Sequence, residues 1–441
     1  SLSLSSKNTG IKNIQKSCLN KIISFTYFLL GEIKMKKILT AVLTLSCATA
    51  IFAGGIDNKS NLSTGYLRNP SRATETKRPE AVLYNIGGTS FMEDGLAFTI
   101  GNQFIFKEYT NELNGTEYKE NKTVLFFPDV EAVYKKDRWA AFGGFGVFAG
   151  GGSLDYKDGT AATFLALYGA TSSPAIAKNH SLEAYSATMG EILGLSYNIT
   201  ENISLAAAGR FLHASSNMKL TAPGIASFNG RDSIEYEASG YGFGGIFGVN
   251  AKDLVPGLTL SIQYQTITKL KIEFDTVKGN MASAFGVTEG NKYKNDLPAV
   301  LTLGAGYSLF DSLDLSLSCN YYFNKQATMQ NPLGGSDLEY NDSWEIALGC
   351  DWQINGQIGV SAGAMYTKQG AKSDVNSAFS PVLDSIVTGC GIEYRFAKQV
   401  MATAAYMHCF YNSKDYEYLN NTIELRKNID MVSVGITVKP F

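Results

Sequence analysis

Charge is scarce in this chain of 441 residues. Only 18% of positions are Asp, Glu, Lys or Arg, and 38 Lys+Arg stand against 40 Asp+Glu for a net charge of −2. A balance that even offers no basic footprint for nucleic acid and no acidic tail. The three histidines, His180, His213 and His408, fall in no motif, and the six cysteines show neither CxxC nor Cys/His spacing, so nothing predicts a metal centre. GxSxG, HExxH and P-loop signatures are missing, which leaves no cofactor or catalytic centre to expect. His213 near Ser215 and Ser216 is adjacency in sequence rather than a triad, so a lipid hydrolase has little support. Beyond the first fifty-odd positions no apolar run reaches about 18 residues, which excludes a bundle of membrane-spanning helices. Glycine, by contrast, reaches 44 residues, with 24 Tyr and 25 Phe. The composition is too apolar and aromatic for disorder and suits a large all-β protein.

The front of the chain reads as an address. Met35-Lys36-Lys37 gives a basic start, residues 38–53 supply an apolar stretch with Leu39, Val42, Leu43 and Leu45, and small residues follow. Cleavage is expected after Ala53, with Ala50 as the other site. A lipoprotein reading through Cys47 is weaker, because Thr44-Leu45-Ser46 is a poor approach to a lipidated cysteine. Residues 1–34 then sit upstream of a complete signal. Gly31-Glu32-Ile33-Lys34 can be encoded by a purine-rich run resembling a ribosome-binding site, so translation is expected to start at Met35. A peptide from residues 1–34 recovered by mass spectrometry would end that expectation. Cys18 and Cys47 belong to these leading segments, whereas Cys319, Cys350 and Cys390 fall on the apolar parity of strands.

From about Phe91 one phrase repeats: 9–15 residues alternating apolar with small or polar, then a turn or loop. Leu313, Leu315, Leu317, Cys319, Tyr321 and Phe323 share one face, with Asp314, Ser316, Ser318, Asn320 and Tyr322 on the other. Trp344, Ile346, Leu348, Cys350 and Trp352 repeat the pattern. Such segments exceed the 5–6 residues usual in a sandwich and match the 9–11 tilted residues that cross a bilayer. Aromatics gather at their ends, as interfacial girdles require. Fourteen segments are predicted: 93–107, 123–135, 138–150, 183–199, 203–218, 234–251, 257–275, 297–310, 313–326, 342–354, 357–369, 384–397, 400–412 and 429–441. Short connections such as 198–202, 311–312 and 355–356 alternate with long ones near 109–122, 151–182, 219–233, 276–296, 327–341, 370–383 and 413–428. An even count puts both ends and all short turns in the periplasm. Only a closed barrel satisfies lipid-facing backbone, so residues 91–441 are assigned to a 14-stranded antiparallel transmembrane β-barrel. A bore that wide either conducts water or needs a stopper. The non-alternating stretch 54–90 is too polar for lipid and suits an N-terminal hatch, or plug, inside the lumen. Phe441 matches the terminal aromatic favoured by the outer-membrane assembly machinery, although Val432, Val434, Ile436 and Val438 lie on the opposite parity and Pro440 intervenes.

The order of these phrases resembles the FadL/TodX family of outer-membrane transporters for long-chain fatty acids and other hydrophobic compounds. Ala81-Val82-Leu83-Tyr84-Asn85-Ile86-Gly87-Gly88 resembles the family's plug phrase, with Ile86-Gly87 in place of its Pro-Ala. The resemblance continues through Pro128 to Gly150, through 181–198 and 203–209, and through Gly240 to Gly244 and Tyr264 to Phe274. It implies a monomer, a hatch including Tyr84, Asn85, Gly87 and Gly88, capture of ligand at the outer loops, an apolar lumen pocket, and sideways exit at a kinked third strand. Gly143, Gly144, Gly146 and Gly150 are the candidate kink, since glycine inside a strand weakens pairing and marks bulges.

Three groups of residues are candidates for binding ligand. Phe164, Leu165, Leu167 and Tyr168, with Ile176 after Pro174, form an apolar segment in the loop after the third strand. Such a segment is costly without a partner, whether a hydrophobic ligand or the barrel rim. Lys269 and Lys271 are expected to point inward, because Leu258, Leu260, Ile262, Tyr264 and Leu270 mark the lipid face. Arg210 has inward parity on the fifth segment. Any of these cations could hold a carboxylate in a low-dielectric pocket. The reading is therefore passive uptake of hydrophobic small molecules, fatty acids foremost, by a non-enzymatic barrel in contact with outer-membrane lipid. A general diffusion porin and a surface adhesin or binding protein are the alternatives. The porin predicts ion conductance, and the adhesin predicts uptake unchanged on deletion.

Overall fold

A computed structural model describes residues 60–223, 233–334, 337–372 and 377–440. The segment 1–34, the expected signal 35–53, the first positions 54–59 of the expected hatch and Phe441 lie outside the described residues. The chain forms one closed antiparallel sheet. Its strands are β1 Gly95–Leu113, β2 Pro128–Lys136, β3 Trp139–Tyr156, β4 Ser181–Asn198, β5 Ile203–Thr221, β6 Ser233–Lys252, β7 in two pieces Leu258–Gln265 and Lys271–Lys278, β8 Ala299–Phe310, β9 Leu313–Phe323, β10 Ser343–Gln353, β11 Ile358–Lys368, β12 Ser385–Ala397, β13 Val400–Tyr411 and β14 Asn421–Val438. Each strand pairs with its neighbours in sequence, and β1 closes the ring on β14 from Phe98↔Val438 to Glu112↔Glu424. Closure leaves no edge in the hydrocarbon. The fourteen strands follow the predicted segments closely.

The wall carries apolar side chains outward. Leu315, Leu317, Ile346, Leu348 and Trp352 are exposed, while Ser318, Tyr322, Glu345 and Ala347 face the interior and are buried. Cys319 and Cys350 are half-buried on the outward set and Cys390 is exposed. At the short-turn end, Tyr134 and Trp139 meet edge to face at 5.8 Å, and the Arg138 guanidinium lies 5.5 Å from the Tyr197 ring. Amphipathic rings at that level anchor a barrel to the interface.

Towards the long loops the two faces exchange roles. On β14, Val432, Val434 and Ile436 face outward, yet Ile423, Leu425, Ile429 and Met431 are buried and face inward. On β6, Phe243 and Phe247 are outside, whereas Ile234, Tyr236 and Ala238 are inside. Above the membrane, water bathes the outer face, so the apolar side chains turn to the loop core that fills the barrel mouth. Several strands therefore run well past the length that crosses a bilayer: β1 has 19 residues and β14 has 18.

In β7 the exchange corrects an expectation. Between Ile246↔Gln265 and Tyr241↔Lys271, five residues of β7 face four of β6. The extra residue flips every side chain beyond it. Leu270, Ile272 and Phe274 are consequently buried inside, and Lys269 and Lys271, expected in the lumen, stand exposed outside.

Candidate functional site

The segment from Ser60 to Met92 fills the bore. Ser63 caps a short helix, α1 (Thr64–Arg68), by accepting from the Tyr66 N–H at 3.2 Å; α2 (Ala81–Tyr84) and a 3-10 turn (Ile86–Phe91) follow. Helices this short do not persist alone in water, so their shape is set by contacts with the wall. Those contacts go round the ring. Thr64 donates from N and Oγ1 to Asp129 of β2, Ser71 Oγ lies 2.9 Å from Ser318 of β9, Ser261 of β7 donates to the Ala73 carbonyl, and Gln263 accepts from the Ile86 N–H. Ser90 donates to Asn198 of β4 at 2.6 Å, and Ser204 of β5 donates to the Gly87 carbonyl. The four hatch residues singled out from the sequence lie inside this network. Tyr84 stacks on Tyr66 at 5.8 Å and donates to the Ser60 carbonyl, and Asn85 donates to the Glu75 carbonyl at 3.1 Å. Gly87 sits against Asn250 and Ser204, and a Cβ on Gly88 would lie 2.2 Å from the Glu75 carbonyl oxygen.

Charge as well as packing ties the hatch to the wall. Arg68, with no exposed side-chain surface, bonds Asp351 of β10, donates to Glu80 at 2.9 Å and to Ser361 at 2.7 Å, and lies 3.6 Å from Glu393 of β12. Arg72 bridges Glu75 at 2.9 Å and Asp351 at 3.1 Å, and Arg78 bonds Glu393 from Nε at 2.8 Å. Three guanidiniums thus meet four carboxylates in one buried cluster, an arrangement stable only when every member is satisfied. Burial pushes the Glu75 carboxyl up, but Arg78, Arg72 and Arg68 together outweigh it and bring it down to about 2. For Glu80 burial prevails over the same arginines and its pKa is raised. Asp351 and Glu393 had no visible role in the sequence; inward parity on β10 and β12 opposite an Arg-rich hatch was the available signal.

Beside the hatch lies an internal cavity of about 60 Å³. Leu62, Tyr66, Leu83, Phe148 and Val300 give it apolar surface, and Arg210, Gln263, Gln265 and Asn320 give it polar groups. Arg210 is the one lumen cation expected from the sequence that points into this space. It donates to Gln265 at 2.6 Å and Thr268 at 2.7 Å, and its guanidinium lies 5.9 Å from the Phe148 ring. Among the described residues it has no carboxylate partner and its Nε has no acceptor. A buried guanidinium held only by neutral groups is poised to accept an anion.

Next to the cavity the wall is interrupted. Pairing of β2 with β3 ends at Val130↔Phe145, and along β4 the register of β3 shifts between Val147 and Ala149 and again between Ala149 and Gly152. Gly150 and Gly152 take φ of +91° and +78°, which disfavour a side chain. Gly143, Gly144 and Gly146 lie in the regular ladder with β4 opposite Leu193, Ile192 and Gly190; Gly146 is past the last pair with β2, and of the four candidate glycines only Gly150 falls where the register with β4 also shifts. Phe148 occupies the interruption and also lines the cavity, and Leu62 of the hatch stands behind Gly146.

At the mouth, the loop after β3 folds into α3 (Ala161–Thr171) and α4 (Pro174–Lys178). Thr160 caps α3 in a reciprocal box with Thr163, and His180 Nε2 lies 2.6 Å from the Thr163 hydroxyl. Leu167 is buried, and Phe164, Leu165 and Ile176 are half-buried against the mouth core. Phe164 stacks on Tyr168 at 6.1 Å and also meets Tyr118. Tyr168, 44% exposed, is the member of the expected landing surface most open to solvent.

A family model described as outer membrane protein transport protein (OMPP1/FadL/TodX) matches residues 148–436. Among solved structures, a Pseudomonas aeruginosa FadL homologue superposes with a TM-score of 0.67 at 15% identity, over 88% of this chain and 99% of that one. The Pseudomonas putida toluene transporter TodX gives 0.62 at 16% identity, over 89% and 100%. The Ralstonia pickettii toluene transporter TbuX gives 0.61 at 14%, over 85% and 97%. No curated protein matches in sequence.

Proposed function

Because the chain belongs to the OMPP1/FadL/TodX family of outer-membrane transport proteins, whose channels pass hydrophobic compounds without catalysis, we propose that it carries a long-chain carboxylate across the outer membrane. The observation behind this choice is Arg210, buried beside apolar surface with neutral hydrogen-bond partners alone among the described residues. A fatty acid head group would supply the missing anion, and Leu62, Tyr66, Leu83 and Phe148 would meet its chain. The cavity of about 60 Å³ is far below the roughly 300–1,000 Å³ of ordinary ligand sites, so occupancy requires the hatch to shift. The capture end is the aromatic surface around Phe164 and Tyr168. The exit is sideways, through the interruption of β3 at 147–152, which shares Phe148 with the cavity.

Replacing Arg210→Gln tests the reading. Charge-assisted hydrogen bonds are worth about 1.5–3 kcal/mol, or roughly 10- to 150-fold in affinity. Uptake of radiolabelled oleate at limiting concentration should fall by about tenfold or more, while toluene uptake changes less than about twofold. Equal losses for both, or unchanged oleate uptake, would overturn it. A compact neutral aromatic is the second reading. The small cavity favours it, as does the likeness to structures described as toluene transporters.

A further inference from the structure

The face exchange in β7 leaves a basic patch on the outside of the barrel. The ladder carries a row across the wall: His213 of β5 opposite Tyr241 of β6, Tyr241 opposite Lys271 of β7, and Lys271 opposite Lys294 of the short strand Lys292–Lys294. All four are exposed, and so is Lys269. The row stands at the outer limit of the bilayer. Counting from Leu258, opposite Tyr307 at the short-turn end, the 9–11 residues of a tilted crossing reach positions 266–268, just below the row. Just below the row, Phe211 and Phe243 pack with ring centroids 4.8 Å apart, and Tyr241 and Phe243 are 67% and 70% exposed.

Lys271 and Lys294 are direct cross-strand partners, so their Cβ atoms lie about 5 Å apart, where like charges repel. The surroundings do not neutralise them. Among the described residues no ion pair reaches Lys269, Lys271 or Lys294. Glu273 is taken by Lys292 at 2.7 Å. Asp296, opposite Lys269 by register, is buried, and its oxygens accept from the Leu270 and Thr328 N–H groups at 3.1 and 3.2 Å. Asp275 is exposed further towards the loops. Two unpaired ammonium groups in the row and a third, Lys269, one pleat below it beside the exposed aromatic shelf complement a lipid with phosphate at the interface and acyl chains below it.

We propose that this face binds a phosphorylated glycolipid of the outer leaflet, its phosphate between Lys269, Lys271 and Lys294 and its acyl chains against Phe211, Tyr241 and Phe243. The site lies outside the barrel and does not depend on what passes through the lumen. The test adds purified bis-phosphorylated lipid A to the detergent-purified full chain and measures retention by native mass spectrometry. One molecule per barrel is expected, and the triple variant Lys269→Gln, Lys271→Gln, Lys294→Gln should lower retention about tenfold, the scale of roughly one charge-assisted contact. Lipid A stripped of phosphate should fall equally. Lys368→Gln, a rim lysine paired with Asp384, should leave retention within about twofold of the parent. If the triple variant does not assemble, the single variants Lys271→Gln and Lys294→Gln carry the measurement. Retention unmoved by the lysine substitutions, or as strong for dephosphorylated lipid A or phosphatidylglycerol, would overturn the proposal.

Discussion

Replacing Arg68→Met removes the centre of the hatch's ionic cluster while keeping a long apolar stem against Gly391. Arg68 is fully buried and serves Asp351, Glu80 and Glu393 at once. Its loss leaves Arg72 and Arg78 facing four carboxylates. Removing one partner from a buried ionic group costs about 3–5 kcal/mol, because the remaining charges stay desolvated. At about 1.4 kcal/mol per decade, the balance between docked and undocked hatch should move by roughly two to three and a half orders of magnitude. In planar bilayers the parent should be nearly silent, and the variant should open with far higher probability at unchanged barrel content. Arg78, whose side chain is 18% exposed and can partly resolvate, should give a smaller effect when changed to Met. Adding Asp351→Asn to Arg68→Met should recover part of the loss, since it removes a stranded anion. Equal quiet in all these variants would show that packing alone holds the hatch, and the argument from charge would fall.

Other perturbations probe the same parts. Glu75 is held at about 2 when the hatch is docked, against 4.5 when it is free, so its contribution is complete above about pH 4.5. That contribution, up to about 3 kcal/mol, is lost as pH falls towards 2, and conductance should rise across that window; a flat profile would contradict it. Gly88→Ala would drive a methyl into the Glu75 carbonyl, costing about 1–3 kcal/mol, and should raise open probability with the barrel still folded by circular dichroism. A cysteine pair at Val124 and Gly152, where a Cβ on Gly152 would lie 3.7 Å from the Val124 Cβ, suits a disulfide. Although the positive φ of Gly152 costs such a residue about 1–2 kcal/mol, the oxidised form should staple the side gap. Uptake should fall about tenfold and return with reductant. Uptake indifferent to oxidation would rule out the sideways exit.

The strands were legible because the membrane imposes the same alternation on every crossing, and because short turns and long loops alternate. What escaped was local. An extra residue between Gln265 and Lys271 carries no composition signal, so parity extrapolated from Leu258 to Tyr264 put Lys269 and Lys271 in the lumen. The outer halves of β1 and β14 were cut short because their apolar sides face inward, opposite to the membrane rule. The hatch was visible as a stretch that does not alternate, but its ionic partners come from residues nearly 300 positions away, as in Arg68 with Asp351. Arg210 could be assigned from parity because β5 runs from Ile203 to Thr221 without a bulge.

The reversal of greasy and wet sides partway up the longer ribbons gives the molecule a waterline. If the barrel rode one pleat higher, outward residues such as Phe106 and Val432 would climb towards water; one pleat lower, Arg426 and Asp430 would sink into hydrocarbon. Either excursion is penalised from both directions, so the float depth is written into several staves independently. A barrel gauged this way holds the interruption of β3 at a constant height, whatever happens to the stopper within.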